Sequence, residues 1–180
     1  MRSSKTPQLV LFDLDHTLLA ADTNNLWLNF LADQGYLDKD LVNREQQRWY
    51  ADYVNGCLDF AAYMRFQLKP LSAIPLSTLV TLLEIFSEDR LAPHIAPGAV
   101  DLVRAHHGRG HICAVVTATH HFLAEPVAKL VKIKHLIATE AQQSDGFFTG
   151  HPGNMLCFGE GKIAAVEQWL ERVGVEPAPR

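Results

Sequence analysis

Two aspartates end the first apolar run of the chain, in the stretch LVLFDLDHTLL at residues 9–19. Residues i and i+2 of an extended segment point to the same side. Asp13 and Asp15 can therefore face one space at the C-terminal end of a strand, where open α/β sheets place their ligands. Paired carboxylates in such a place can divide two tasks. One attacks an electrophile, and aspartate is a carrier of acyl phosphate; its neighbour gives and takes protons. Two negative charges this close repel, which favours a divalent cation or a shared proton. Magnesium, a hard ion that prefers oxygen, suits Asp13 and Asp15 as ligands.

Such a pair must be held by a scaffold, and the periodicity of the chain indicates which one. QLVLFD reads as a buried strand, a short continuous apolar run ending in charge. From Asp22 the pattern turns helical: Asp22 or Thr23 can cap a helix on which Leu26, Trp27, Phe30 and Leu31 recur at helical spacing, with Gly35 as a stop. A polar helix follows around Leu41 to Tyr53. LDFAAYMRFQLKP gives another, stopped by Pro70, and a further helix opens near Pro75 and runs to about Arg90. No strand interrupts residues 21–92. Beyond them, Pro97-Gly98 opens a helix to about His107, followed by a β-rich strand from His111 to Val116. A helix around Leu123 to Val131, a short strand HLIAT, a hairpin or extended excursion at SDGFFTG and a last helix from near Gly161 to before Gly174 complete the chain, with VEPAPR as a tail. Strand, long helical insertion, then helix–strand–helix–strand predicts an α/β protein with a parallel sheet and a helical cap inserted after the first strand. The corresponding domains are residues 1–20 with 93–180 as the core and residues 21–92 as an all-helical cap.

Composition narrows the function. The 180 residues are 48% hydrophobic, enough for a sizeable core, and 16 basic against 20 acidic residues give a net charge of −4. No basic stripe marks a nucleic-acid binder, and no run reaches the roughly 18 apolar residues of a membrane span. MRSSKTPQ is too polar for a signal peptide. Cys57, Cys113 and Cys157 are odd in number, far apart and without a C-x-x-C, which reads as reduced thiols in a cytoplasmic protein. The pairs His106-His107 and His120-His121 are adjacent and lack the i, i+4 spacing of helix-borne metal ligands.

FDLDHTLL resembles the first motif of the haloacid dehalogenase superfamily of phosphatases, a strand followed by D-x-D-x-T. The resemblance implies a Rossmann-like, three-layer parallel-sheet core. It makes Asp13 the nucleophile and Asp15 the general acid/base, with magnesium on the first carboxylate and on the carbonyl of the second residue. Thr17 would help fix the loop, and His16 fills the variable place. The family's second motif, a Ser or Thr at the end of the next core strand that donates to the phosphoryl group, matches Thr117 in ICAVVTATH; Thr119 reads as a helix cap. The third, a Lys near a later helix that offsets phosphate and carboxylate charge, matches Lys162 in CFGEGKIAAVEQWL. Lys162 sits at the helix end that the macrodipole disfavours for cations, which a bound anion would explain. Lys129, Lys132 and Lys134 cluster at another helix end and read as solvated.

A helical cap between the first two motifs is similar to the phosphoserine-phosphatase-like branch. That likeness makes Asp22 a substrate contact, with helix N-cap as its rival role. Arg44, Arg48 and Arg65 of the cap are candidates for a substrate carboxylate, and Trp27, Trp49 and Tyr53 read as cap core. The family's fourth, acidic motif has no counterpart after the last helix, where Glu167, Glu171 and Glu176 do not fit it. Three of four motifs predict a weakened metal site, an apolar first-strand edge open to homodimerisation, and a chain shortened from a longer phosphatase. The implied activity is hydrolysis of a small, polar, phosphoserine-like phosphomonoester. A catalytically impaired binding or regulatory homologue, or a phosphotransferase in which an alcohol replaces water, are the alternatives.

Overall fold

The computed structural model describes residues 8–174; residues 1–7 and the tail VEPAPR lie outside them. Three parallel strands, β1 (Leu9–Phe12), β2 (Ile112–His120) and β3 (His135–Thr139), form a sheet in the order β1-β2-β3. Its register runs from Leu9 opposite Ile112 to Phe12 opposite Val115. Side chains alternate across β2. Cys113 and Val115 join the apolar cluster that includes Val103, Leu123 and Val127, whereas Ala114 and Val116 pack with Ala165, Trp169 and Leu170. Helices α5 (Ala99–Gly108) and α6 (His121–Leu130) thus cover one face and α7 (Gly161–Val173) the other, giving the expected three layers. Among the described strands β1 pairs with β2 only, and Leu11 on it is 44% exposed.

β2 runs further than its apolar residues suggest. The strand predicted to stop at Val116 continues to His120, with an irregular register between Thr117 and His120. Val115, Val116, Thr117 and Thr119 are β-branched and keep the backbone extended past the end of the oily run. Thr117 therefore lies inside the strand rather than after it.

Between β1 and β2 the chain forms α1 (Thr23–Asp33), α2 (Lys39–Val54), α3 (Phe60–Leu68) and α4 (Leu76–Phe86). The first three share one start signal. Asp22, Asp38 and Asp59 accept the backbone N–H of Asn25, Leu41 and Ala62, each three residues on. Pro70 falls in the first turn of a 3-10 segment, Lys69–Ala73, where its missing N–H costs nothing. α4 ends at Phe86, earlier than the predicted Arg90, and a π-type turn over Ser87–Leu91 brings Leu91 into the core. SDGFFTG does form a hairpin, β4 (Ala141–Ser144) and β5 (Phe147–Pro152). Asp145 and Gly146 at its tip both have positive φ, 51° and 80°, the conformation of a type I′ turn. The hairpin reaches the helical segment: Leu76 N–H donates to the Gly146 carbonyl at 2.9 Å.

Trp27 joins the helices to the sheet layer. It is wholly buried, stacks on Phe30 and meets Phe86 of α4 and Phe122 of α6 edge-on. Among the described residues no single helix is long and apolar enough to cross a membrane. A bent pair, Phe60–Ala73 with Leu76–His94, reaches that length and composition together, but Met64, Leu68, Leu79, Leu82 and Phe86 on it are core residues.

His120 closes β2 in an apolar place. Its ring lies parallel to Phe122 and edge-on to Phe148, and neither ring nitrogen has a hydrogen-bond partner among the described residues. Burial drives its pKa down to about 3, so the folded protein holds it neutral. The folded pKa lies below the unfolded one. The stability associated with neutral His120 is therefore complete above about pH 6.5 and is lost as the pH falls toward 3. Relative to His120→Leu, the wild type is expected to lose up to about 1.4 kcal/mol per pH unit in this window, read from urea midpoints at pH 7, 6, 5 and 4. Parallel curves for the two proteins would contradict it.

Candidate active site

The end of β1 becomes a site because the chain stops being extended there. Leu14, wholly buried, roots the turn: its carbonyl accepts the N–H groups of Thr17, Leu18 and Leu19. His16 adopts φ 55° and donates its N–H to the Ala21 carbonyl. Asp13 is left exposed and Asp15 partly buried, both on the wall of a cavity of about 840 Å³ between the strand ends and the helical segment. Thr17 contributes through its backbone N–H.

Lys162, in the first turn of α7, reaches back to Asp13 at 2.8 Å. The carboxylate supplies the counter-charge that a lysine at a helix N-terminus lacks. None of the rival lysines does this: Lys129 pairs with Glu125 along α6, and Lys132 and Lys134 are exposed.

Asp15 is held by hydroxyls. Thr23 donates to its Oδ1 through both N–H and O–H, and Thr119 Oγ1 donates to Oδ2 at 2.6 Å. Burial raises the pKa of Asp15 above the ordinary carboxylate value, with Asp13 adding to it, while the Thr119 and Thr23 hydrogen bonds pull the other way. A carboxyl tuned in this way can exist in both protonation states. Thr119 is thus not a helix cap. α6 begins without a side-chain cap, and the Thr119 hydroxyl faces Asp15 because β2 is still extended there. The buried Thr117 hydroxyl accepts the Thr119 N–H at 3.1 Å, which leaves its own proton to donate.

Asp22 caps α1, the rival role, and it also lines the cavity. Burial, and then the nearby Asp15, raise its pKa. The structure thus brings Asp13, Asp15, Asp22, Thr117 and Lys162 to one cavity. It leaves Arg44, Arg48 and Arg65 exposed and outside the lining. Of the three aromatics read as core, Trp27 and Trp49 are buried, Trp49 also touching the cavity, whereas Tyr53 is exposed and lines it. Thr23, Asn24 and Thr119 were not read as site residues. For Thr119 a signal existed, since it stands two residues after Thr117 and so on the same side of an extended strand.

Among the described residues no three His, Cys, Asp or Glu side chains converge on one point. Asp13 keeps one carboxylate oxygen beyond that on Lys162, whereas both carboxylate oxygens of Asp15 already accept from Thr23 and Thr119, so Asp15 would serve through its main-chain carbonyl, as the first motif implies. That donor set suits magnesium, which is commonly bound by one or two carboxylates and completes its shell with water and phosphate oxygens.

A family model described as haloacid dehalogenase-like hydrolase matches residues 10–180. The chain belongs to the haloacid dehalogenase-like hydrolases. Among curated relatives, a histidinol-phosphatase of Neisseria meningitidis serogroup C is 34% identical over 167 residues, covering 92% of this chain and 75% of its own. A phosphoserine phosphatase of Mycobacterium tuberculosis is 27% identical over 167 residues, 91% of this chain and 54% of its own length. A solved protein of unknown function from Bordetella pertussis Tohama I superimposes with a TM-score of 0.88 at 38% identity, covering 95% of this chain and 77% of that one. A phosphoserine phosphatase solved as a phospho-aspartyl intermediate analogue shares the fold alone, with a TM-score of 0.69 at 19% identity, over 96% of this chain and 75% of that one. This haloacid dehalogenase-like chain is accordingly a phosphatase-type enzyme with a parallel-sheet core, as its first motif implied.

Proposed function

We propose that the protein is a magnesium-dependent phosphomonoester hydrolase that works through an aspartyl-phosphate on a small phosphorylated metabolite. The observation that carries this reading is the Asp13–Lys162 ion pair at 2.8 Å, set in one cavity with Asp15 and Thr117. In this reading a carboxylate oxygen of Asp13 attacks phosphorus in line, and the bond to the leaving alcohol breaks. Protonated Asp15 gives that alkoxide its proton. Asp15, now ionised, takes a proton from water, whose oxygen attacks the phosphorus of the aspartyl-phosphate and returns Asp13 as a carboxylate. Lys162 and the Thr117 hydroxyl hold the transferring group, and the helical segment shields it from bulk water. Magnesium, held by Asp13 and Asp15, would neutralise phosphate charge. The three cysteines are free thiols, which suits the cytoplasm.

The names of the relatives bracket the substrate: phosphoserine carries an ammonium and a carboxylate beside its phosphate, and histidinol phosphate an ammonium and an imidazole. Phosphate release from p-nitrophenyl phosphate, with magnesium and then with excess chelator, tests the reading. Magnesium-dependent release is expected, and its absence overturns it.

Thr119→Val checks the part given to Asp15. Without the hydroxyl that favours the ionised form, the pKa of Asp15 rises further. The acid limb of the kcat profile, which reports ionised Asp15 in the water step, is expected to move to higher pH. An unmoved limb would remove Asp15 from that step.

A further inference from the structure

Both carboxylate oxygens of Asp15 are occupied, but not equally. Oδ1 accepts the N–H and the O–H of Thr23, which takes up both of its lone pairs. Oδ2 accepts from Thr119 Oγ1 alone, at 2.6 Å, and keeps one lone pair. A proton that Asp15 gives or takes therefore has one place, on Oδ2. Its direction depends on which side of that oxygen the Thr119 hydroxyl fills.

The Thr119 hydroxyl is a rotor with one proton and two lone pairs. It is wholly buried, and Asp15 is its one acceptor among the described residues. If it turned, it would present a lone pair to Asp15, and the Asp15 proton would settle inward on Thr119 instead of facing the cavity. Asn24 opposes that turn. Its Nδ2 donates to Thr119 Oγ1 at 3.3 Å, across 95 positions of the chain. An amide –NH₂ only donates, so the Thr119 proton is kept out of that direction and stays on Asp15 Oδ2.

The setting of Asn24 points to this task. It lies in the first turn of α1, one residue after Thr23, and is 4% exposed. Its side chain makes no other hydrogen bond among the described residues, and its Oδ1 is without a partner there. An amide buried for packing alone is a poor choice beside a leucine of similar size, because its lost hydration is only half offset. The bond to Thr119 is what the amide adds. α1 thus holds Asp15 on both oxygens, Oδ1 directly through Thr23 and Oδ2 through Asn24 and Thr119.

We propose that Asn24 is a positioning residue of the acid/base: it commits the Thr119 hydroxyl to Asp15 Oδ2 and so turns the Asp15 proton toward the cavity. The role of Asp15 comes from the phosphatase reading, on which this inference rests. As the leaving oxygen takes the electron pair of its bond to phosphorus, the proton passes to it from Oδ2. The same lone pair then takes a proton from the attacking water.

Leaving groups of different basicity test it, because a basic one needs that proton and a weakly basic one does not. Asn24→Leu keeps the volume and removes the donor. Its loss of kcat/KM on phenyl phosphate is expected to exceed its loss on p-nitrophenyl phosphate by about 10-fold, a part of the general-acid contribution. Thr119→Val removes the same bond from its other end and should shift that ratio in the same direction. Adding Asn24→Leu to Thr119→Val should move the ratio no further. Equal losses on the two esters overturn the proposal and leave the phosphatase reading standing, and so do independent shifts in the double variant. A spectroscopic measurement decides the hydrogen-bond chain without turnover. Followed by nuclear magnetic resonance, the Thr119 hydroxyl proton should be protected from solvent exchange in the wild type and exchange faster in Asn24→Leu. Equal exchange in the two proteins overturns the proposal whether or not any phosphate is hydrolysed.

Discussion

Asp13→Asn is expected to lower phosphate release from p-nitrophenyl phosphate by about 10⁴-fold or more, the scale seen when a nucleophile or its immediate partner is removed. The amide is nearly the size of the carboxylate, but it cannot attack phosphorus and carries no charge. Lys162 then loses its ion-pair partner, and the cavity gains one net positive charge. Anions should therefore bind no worse than before: inorganic phosphate, titrated as a ligand, is expected to bind Asp13→Asn at least as tightly as wild type. This separation of binding from turnover makes the test specific. Turnover of Asp13→Asn equal to that of wild type would mean that the activity does not use this residue. Weaker phosphate binding would mean that the site had been disturbed rather than disarmed. The pair is exposed, so folding should not depend on it.

Trp27→Ala is expected to destabilise the fold by about 3–5 kcal/mol, the range for removing a buried aromatic. Trp27 is wholly buried and touches Phe30 on its own helix, Phe86 of α4 and Phe122 of α6. The cavity left behind would lie where three elements meet, and rings this large cannot close over it without moving a helix. Its indole N–H has no partner among the described residues, so no hydrogen bond offsets or adds to the loss. Trp27→Phe should recover most of the stability. Urea unfolding at pH 7 measures both; a loss under about 1 kcal/mol for the alanine variant would show that the helices and the sheet layer are not coupled through this residue. α1 begins at the cap Asp22 and carries Thr23 and Asn24. A shift of this helix is therefore expected to weaken the hold on Asp15 as well.

Much of this protein is legible in one dimension. D-x-D behind an apolar run is local: the strand, the turn rooted on Leu14 and the spacing of Asp13 and Asp15 follow from neighbouring residues. Helix starts are equally local, because an N-cap bonds an N–H three residues away; Asp22 could be read as a cap from sequence alone. The parallel sheet with its helical insertion follows from the order of periodic segments, which is why the α/β architecture could be read before any coordinates.

What the sequence could not settle depends on residues far apart in the chain. Lys162 lies 149 positions from Asp13, and only the packing of α7 against the sheet decides that it, and not Lys129, Lys132 or Lys134, reaches the carboxylate. Thr119 could equally have capped α6; the extension of β2 to His120 turned its hydroxyl to Asp15 instead. Trp49 and Tyr53 share the character of core residues, and only the placement of α2 over the strand ends buries Trp49 and leaves Tyr53 exposed in the cavity wall. By itself, the sequence determined the chemistry available at Asp13 and Asp15, because backbone geometry over a few residues sets their spacing. The tertiary structure decided what surrounds them, because burial, counter-charge and cavity shape are sums over elements that meet only when the chain is folded.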